Sequence, residues 1–136
     1  MVKLQSGGCL CGAVRYEINL DGAETGNCHC RDCQKNSGGA FMPFTTVDAG
    51  QLRWISAPTG ATKASDTAER RFCASCGTPL TWEGKNYQHH QSVSTGTLDD
   101  VSGIEIAFEI YTRSRWPALP PVPGARQYLA DDITGS

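Results

Sequence analysis

The sequence predicts a small, mainly β protein of short strands held by bound metal, and three observations carry that reading. Fifteen glycines and seven prolines are spread through 136 residues, which favours short strands and turns over long helices. Residues 13–20 and 104–111 alternate apolar and polar side chains in the manner of half-buried strands. Seven cysteines fall into three clusters: Cys9 and Cys11, then Cys28, Cys30 and Cys33, then Cys73 and Cys76. None is left over as the scattered small hydrophobe that a free cysteine often is.

Taken in order, the first twelve residues hold no apolar run of the kind a secretory signal needs. Gly7, Gly8 and Gly12 flank the first cysteine pair and supply freedom for a bent strand end. Residues 13–20 form the first clear strand. Asp21-Gly22 and Gly26-Asn27 read as the turn or loop that leads to Cys28. Residues 31–36 suit one or two helical turns, stopped by Gly38-Gly39. A strand over 40–47 is interrupted by Pro43, and a shorter one covers 52–55. Residues 58–68 are polar and turn-rich, as in a hairpin or loop.

Residues 69–72 lead into the third cysteine cluster, and 78–83 leave it as a strand. Further strands are expected over 87–95 and 104–111. Past Trp116 come Pro117, Pro120, Pro121 and Pro123, which exclude regular structure. That tail should lie over the surface, with Trp116 and Leu119 as apolar anchors. The length suits one domain, residues 1–136, large enough for a real core.

The cysteine spacing is the chemical signal. A structural zinc is closed by four ligands, whereas a catalytic zinc keeps three protein ligands and an open position. Cys9, Cys11, Cys73 and Cys76 supply four thiolates from two distant pairs. Cys28, Cys30 and Cys33 supply three from six residues. Disulfides fit less well, because the count is odd and no secretory signal is visible. A reduced, cytoplasmic protein that concentrates thiols in this way binds metal. Two zinc ions per chain are expected.

Composition also limits the partners. A formal net charge of −2 leaves no basic footprint for nucleic acid. No stretch approaches the roughly 18 apolar residues of a membrane span. His29 lies between two ligands, so its ring should turn away from the metal they share, at the surface or behind the site. His89-His90 suits a solvated strand better than a metal. Arg31, Lys35, Arg70 and Arg71 lie close in sequence to the thiolates. They either offset that charge and attract an acidic thiol or are ordinary surface cations.

Residues 7–16, residues 28–35 with Ser37-Gly38, and residues 72–80 together resemble the glutathione-dependent formaldehyde-activating enzyme family, which includes centromere protein V. Residues 96–100 and 111–116 extend the likeness over nearly the whole chain. The resemblance implies a β-tent-like fold of several short antiparallel sheets. It implies that Cys9, Cys11, Cys73 and Cys76 hold a structural zinc and that Cys28, Cys30 and Cys33 hold a catalytic one. The activity implied is that of a carbon–sulfur lyase or synthase. It joins a thiol, glutathione in the family's name, to an aldehyde such as formaldehyde as an S-hydroxymethyl adduct. One departure is visible: Glu109 stands where the family usually has His before Ile110-Tyr111. The alternative is a non-catalytic binding module of the same fold with both zincs structural.

Overall fold

The computed structural model describes residues 3–87 and 89–131 and is mainly β, as expected. In chain order the strands are β1 (Leu4–Gly8), β2 (Arg15–Asn19) and β3 (Glu24–Cys28), then helix α1 (Arg31–Ser37), then β4 (Met42–Asp48) and β5 (Leu52–Ser56). They continue with β6 (Gly60–Ser65), β7 (Ala68–Phe72), β8 (Pro79–Gly84), β9 (His90–Ser94), β10 (Ile106–Ile110) and β11 (Arg126–Gln127). Among the described residues, no helix is long and apolar enough to cross a membrane.

The chain divides into two compact units. The first contains Met1–Ala23 and Thr45–Gly103. In it β1, β2 and β5 form an antiparallel sheet in that order. The alternation read in residues 13–20 is realised on β2, whose Tyr16 and Ile18 are wholly buried. Residues 58–68, expected as a hairpin or loop, belong to a hairpin that runs on to Phe72 as β6 and β7, and β8 and β9 continue it antiparallel. The strand expected over 87–95 is shorter, His90–Ser94, and Gln88 lies outside the described residues.

Gly7 serves packing rather than a turn. A Cβ built on it would lie 2.4 Å from the Tyr16 ring, and the Tyr16 hydroxyl is itself hydrogen-bonded to Thr97 Oγ1 at 2.7 Å.

The second unit contains Glu24–Phe44 and Ile104–Ser136. Here β10 runs parallel to both β3 and β11. The expected turn at Gly26-Asn27 is instead the middle of β3. Gly26 is there because the Phe108 ring of β10 lies where its side chain would be, 2.2 Å from a built Cβ. The tail is also more regular than the prolines implied. After Pro123 no further proline interrupts it, and Arg126–Gln127 is free to pair with β10. Leu119 is half-buried as expected, whereas Trp116 stays 44% exposed and is fixed by its indole N–H, which donates to Gln34 Oε1 at 3.1 Å. Cys28, Cys33 and Met42 form the buried core of this unit, with Phe44, Ile110 and Tyr111 packed against them.

Candidate metal centres

The first unit brings Cys9, Cys11, Cys73 and Cys76 together, with all four sulfurs within 4.8 Å of one another. Two tight turns do this. At the first, Cys9 N–H donates to Val14 O and Gly12 N–H returns to Cys9 O. At the second, Gly77 N–H donates to Cys73 O at 2.8 Å and Cys73 N–H to Thr78 O at 3.0 Å. Gly12 and Gly77 have φ of 84° and 81°, a region that side chains disfavour and glycine enters at little cost. The sequence places both glycines directly after the second cysteine of a pair.

The sulfur spacing fits a metal. Tetrahedral zinc about 2.3 Å from each thiolate sets neighbouring sulfurs roughly 3.8 Å apart. Cys9 Sγ and Cys11 Sγ are 3.6 Å apart, and Cys11 Sγ and Cys73 Sγ are 3.8 Å apart. None of the seven cysteines forms a disulfide. The Thr78 hydroxyl and Thr78 backbone, with Cys11's backbone, hold the Cys76 thiol down at about 5. Ala13 N–H lowers Cys11, but the neighbouring Cys9 thiol, burial and the other two cysteines push it up to about 11. Four crowded sulfurs therefore cannot all ionise unaided, and a cation among them would relieve the repulsion.

The second unit brings Cys28, Cys30 and Cys33 within the same 4.8 Å limit. Cys28 ends β3, Cys30 is the N-cap of α1, and Cys33 lies in its first turn. Cys33 N–H donates to Cys30 Sγ at 3.3 Å, the ordinary capping geometry with sulfur as acceptor. Gly38 closes the helix, its N–H donating to Gln34 O at 2.9 Å. Cys28 Sγ and Cys30 Sγ are 3.4 Å apart. The Cys30 and Cys33 thiols, followed by burial, push Cys28 strongly up, so this donor set also calls for a cation. The three sulfurs are converging donors of one soft type, as zinc prefers.

Behind this cluster lies a polar group that the spacing alone did not reveal. His29 and Glu109 are each only 1% exposed, and His29 Nε2 lies 2.8 Å from Glu109 Oε1. His29 is thus buried behind the site, not at the surface. Glu109 also accepts from Asn27 Nδ2, Arg115, Val122 N–H and Gln127 Nε2 at 2.9 to 3.2 Å. Burial pushes its carboxyl up. Hydrogen bonds from Val122, His29, Gln127 and Asn27 outweigh burial and hold it down at about 2. Gln34 is buried too, and its amide donates to His29 O at 2.7 Å and to Ser114 O at 2.9 Å. Tyr111, beside the cluster, has the left-handed backbone φ of 54°, which side chains other than glycine seldom adopt.

The remaining candidates divide. Arg31 and Lys35 are exposed on α1, and Arg31 also reaches Gln34 Oε1. Arg71 pairs with Glu69 on its own strand, β7, and with Glu83 on the adjacent β8, which turns its charge towards those carboxylates. His89 and His90 are exposed, with ring centroids 4.4 Å apart.

A mainly β chain with two thiol clusters, each able to hold a metal ion, is the class these features define. The family model for the glutathione-dependent formaldehyde-activating enzyme matches residues 4–114, and the chain belongs to that family. It is 31% identical over 83 residues to an uncharacterized lyase of Schizosaccharomyces pombe, covering 59% of this chain and 60% of that protein. The chain thus spans about three fifths of that relative's length. A Rhodobacter sphaeroides protein of known crystal structure superposes with a TM-score of 0.59 at 24% identity, over 72% of this chain and 91% of that one. At that identity the likeness is one of fold.

Proposed function

We propose that this chain is a cytoplasmic, zinc-dependent carbon–sulfur lyase or synthase whose one domain spans residues 1–136. It acts on a glutathione-like thiol and an aldehyde such as formaldehyde to give an S-hydroxymethyl adduct. Cys9, Cys11, Cys73 and Cys76 hold a structural zinc, and Cys28, Cys30 and Cys33 hold a second zinc at the reaction site. The family match and the word lyase in the yeast relative's name support the reaction class. The observation that carries the division of labour is the ligand count. Among the described residues one sulfur group has four members and the other has three, which matches the closed and open forms of zinc sites.

Zinc in the three-cysteine group would keep an incoming thiol as its thiolate at neutral pH, where a free thiol with a pKa near 8.5 is mostly protonated. The chain's own residues supply the rest. Three cysteine thiolates around a divalent ion sum to −1, which favours capture of a thiol over production of hydroxide. Exposed Arg31 and Lys35 on α1 offer positive charge to an acidic thiol peptide. The packed side chains of Met42, Phe44 and Ile110 form the apolar support of the cluster.

Cobalt substitution tests this reading. The cobalt protein should show a thiolate charge-transfer band that grows when glutathione is added. The hydroxymethyl adduct should form faster than in buffer, and Cys30→Ser should remove the excess rate. An unchanged spectrum together with the buffer rate would sink the glutathione assignment and favour the non-catalytic binding module.

A further inference from the structure

Cys28 and Cys30 are two residues apart, a spacing that places backbone positions about 6.6 Å apart on an extended strand. Their sulfurs are nevertheless 3.4 Å apart. The chain between them must therefore be bent, and held in that bend. His29 is the residue at the bend, and its polar groups are engaged on several sides. Its N–H donates to Ile110 O at 3.0 Å, and its carbonyl accepts from Gln34 Nε2 at 2.7 Å. Its ring lies 5.3 Å from the Phe41 ring, and its Nε2 meets Glu109 Oε1.

The same carboxylate oxygen accepts from Asn27, the residue before Cys28, at 3.2 Å. The other oxygen accepts from Arg115, Val122 N–H and Gln127 at 2.9 to 3.0 Å. An ionised carboxylate only accepts, so His29 presents its Nε2–H to it, and hydrogen bonds to a charged partner are the strong ones.

We propose that Glu109 is the positioning residue of the three-cysteine site, fixing through Asn27 and His29 the backbone that aims Cys28 and Cys30. The inference rests on the metal reading of that site given above. Glu109 touches neither the sulfurs nor any reacting group; it acts on the arm that carries them, and it anchors the chain of residues 115–127 to the same point. Its effect is specific to a carboxylate. A glutamine there has one oxygen and one NH2. Facing the NH2 towards Arg115 and Val122 N–H sets donor against donor, and facing it towards Asn27 and His29 requires the Asn27 amide to turn over and His29 to give up its Nε2 proton.

The test compares the zinc-loaded full chain with E109Q, H29A and H29Q, counting metal retained per chain across a graded series of chelator concentrations. E109Q and H29A should release one ion about 10–100-fold more readily than the parent, as loss of a ligand-orienting partner does elsewhere. The ion of the four-cysteine group should be retained. H29Q places an amide N–H near the position of Nε2 and should recover most of the loss, a rescue that a merely space-filling role would not give. Should E109Q not fold, H29A and H29Q decide alone. A parent that holds two ions and variants that hold both equally tightly would overturn the inference by itself. So would equal weakening of both sites. A parent that holds only one ion would overturn the metal reading, and the inference with it.

Discussion

At the scale of single residues, Glu109 sets two opposing effects against each other. Removing a carboxylate from water raises its pKa, by several units when burial is complete. Hydrogen bonds to the charged form act the other way, and here they prevail, holding the group at about 2 against an ordinary value of 4.5. The sign for stability follows. A depressed carboxyl adds stability that is fully present above the ordinary value and is lost as pH falls through about 2. At one pKa unit per roughly 1.4 kcal/mol, the contribution near neutral pH is about 3 kcal/mol. A carbon-13 NMR titration of the glutamate carboxyls should therefore show one group with a midpoint near 2. If every glutamate titrates in the ordinary range near 4.5, the donors around Glu109 are not holding its charge. No local sequence signal marks this group, because its partners lie from 6 to 82 residues away. Only the comparison with the family's usual histidine marked position 109 at all.

Elements were legible where they alternate or where they surround cysteines, and illegible where a glycine stands for a contact. β2 follows the polar–apolar alternation of the chain. β10 forms within the second alternating run but turns its polar residue inward, Glu109 being its one buried residue. α1 follows from the short polar run between Cys30 and Gly38. β3 was hidden because Gly26-Asn27 carries turn residues, yet each has a different reason to be there. Asn27 bonds Glu109, and Gly26 leaves room for the Phe108 ring. β11 was hidden by the prolines before it. β1 has no alternation to read, since two of its five residues are glycine.

The Gly26 reading makes a prediction for the β3–β10 pair. Gly26→Ala forces a methyl into a ring 2.2 Å away and should cost about 1–3 kcal/mol, as overpacking does. Adding Phe108→Leu should recover part of that loss, so the double variant loses less than the sum of the two singles. Urea unfolding of the four proteins measures it. Strict additivity would mean that Gly26 is not there for the ring.

At the scale of the whole molecule, the seven thiols divide between the two compact units, four in one and three in the other. This division follows directly from the spacing. A pair that closes a site with another pair 62 residues away links distant chain, whereas three ligands within six residues order only a local turn. Metal bound to a site absent from the unfolded chain adds its binding free energy to folding, and the long-range site joins the ends of β1 and β7 that carry the first unit. Cys76→Ser should therefore destabilise the protein by more than about 4 kcal/mol or prevent folding, in line with the loss of a structural metal. Cys33→Ser should cost only about 1 kcal/mol, the ordinary effect of a single substitution, because the helix cap at Cys30 and the Met42, Phe44 and Ile110 packing remain. Its metal count should fall from two to one. Thermal melts and metal analysis on the same preparations separate the two cases. Equal losses of stability for both variants would remove the distinction between a site that builds the fold and a site that the fold presents.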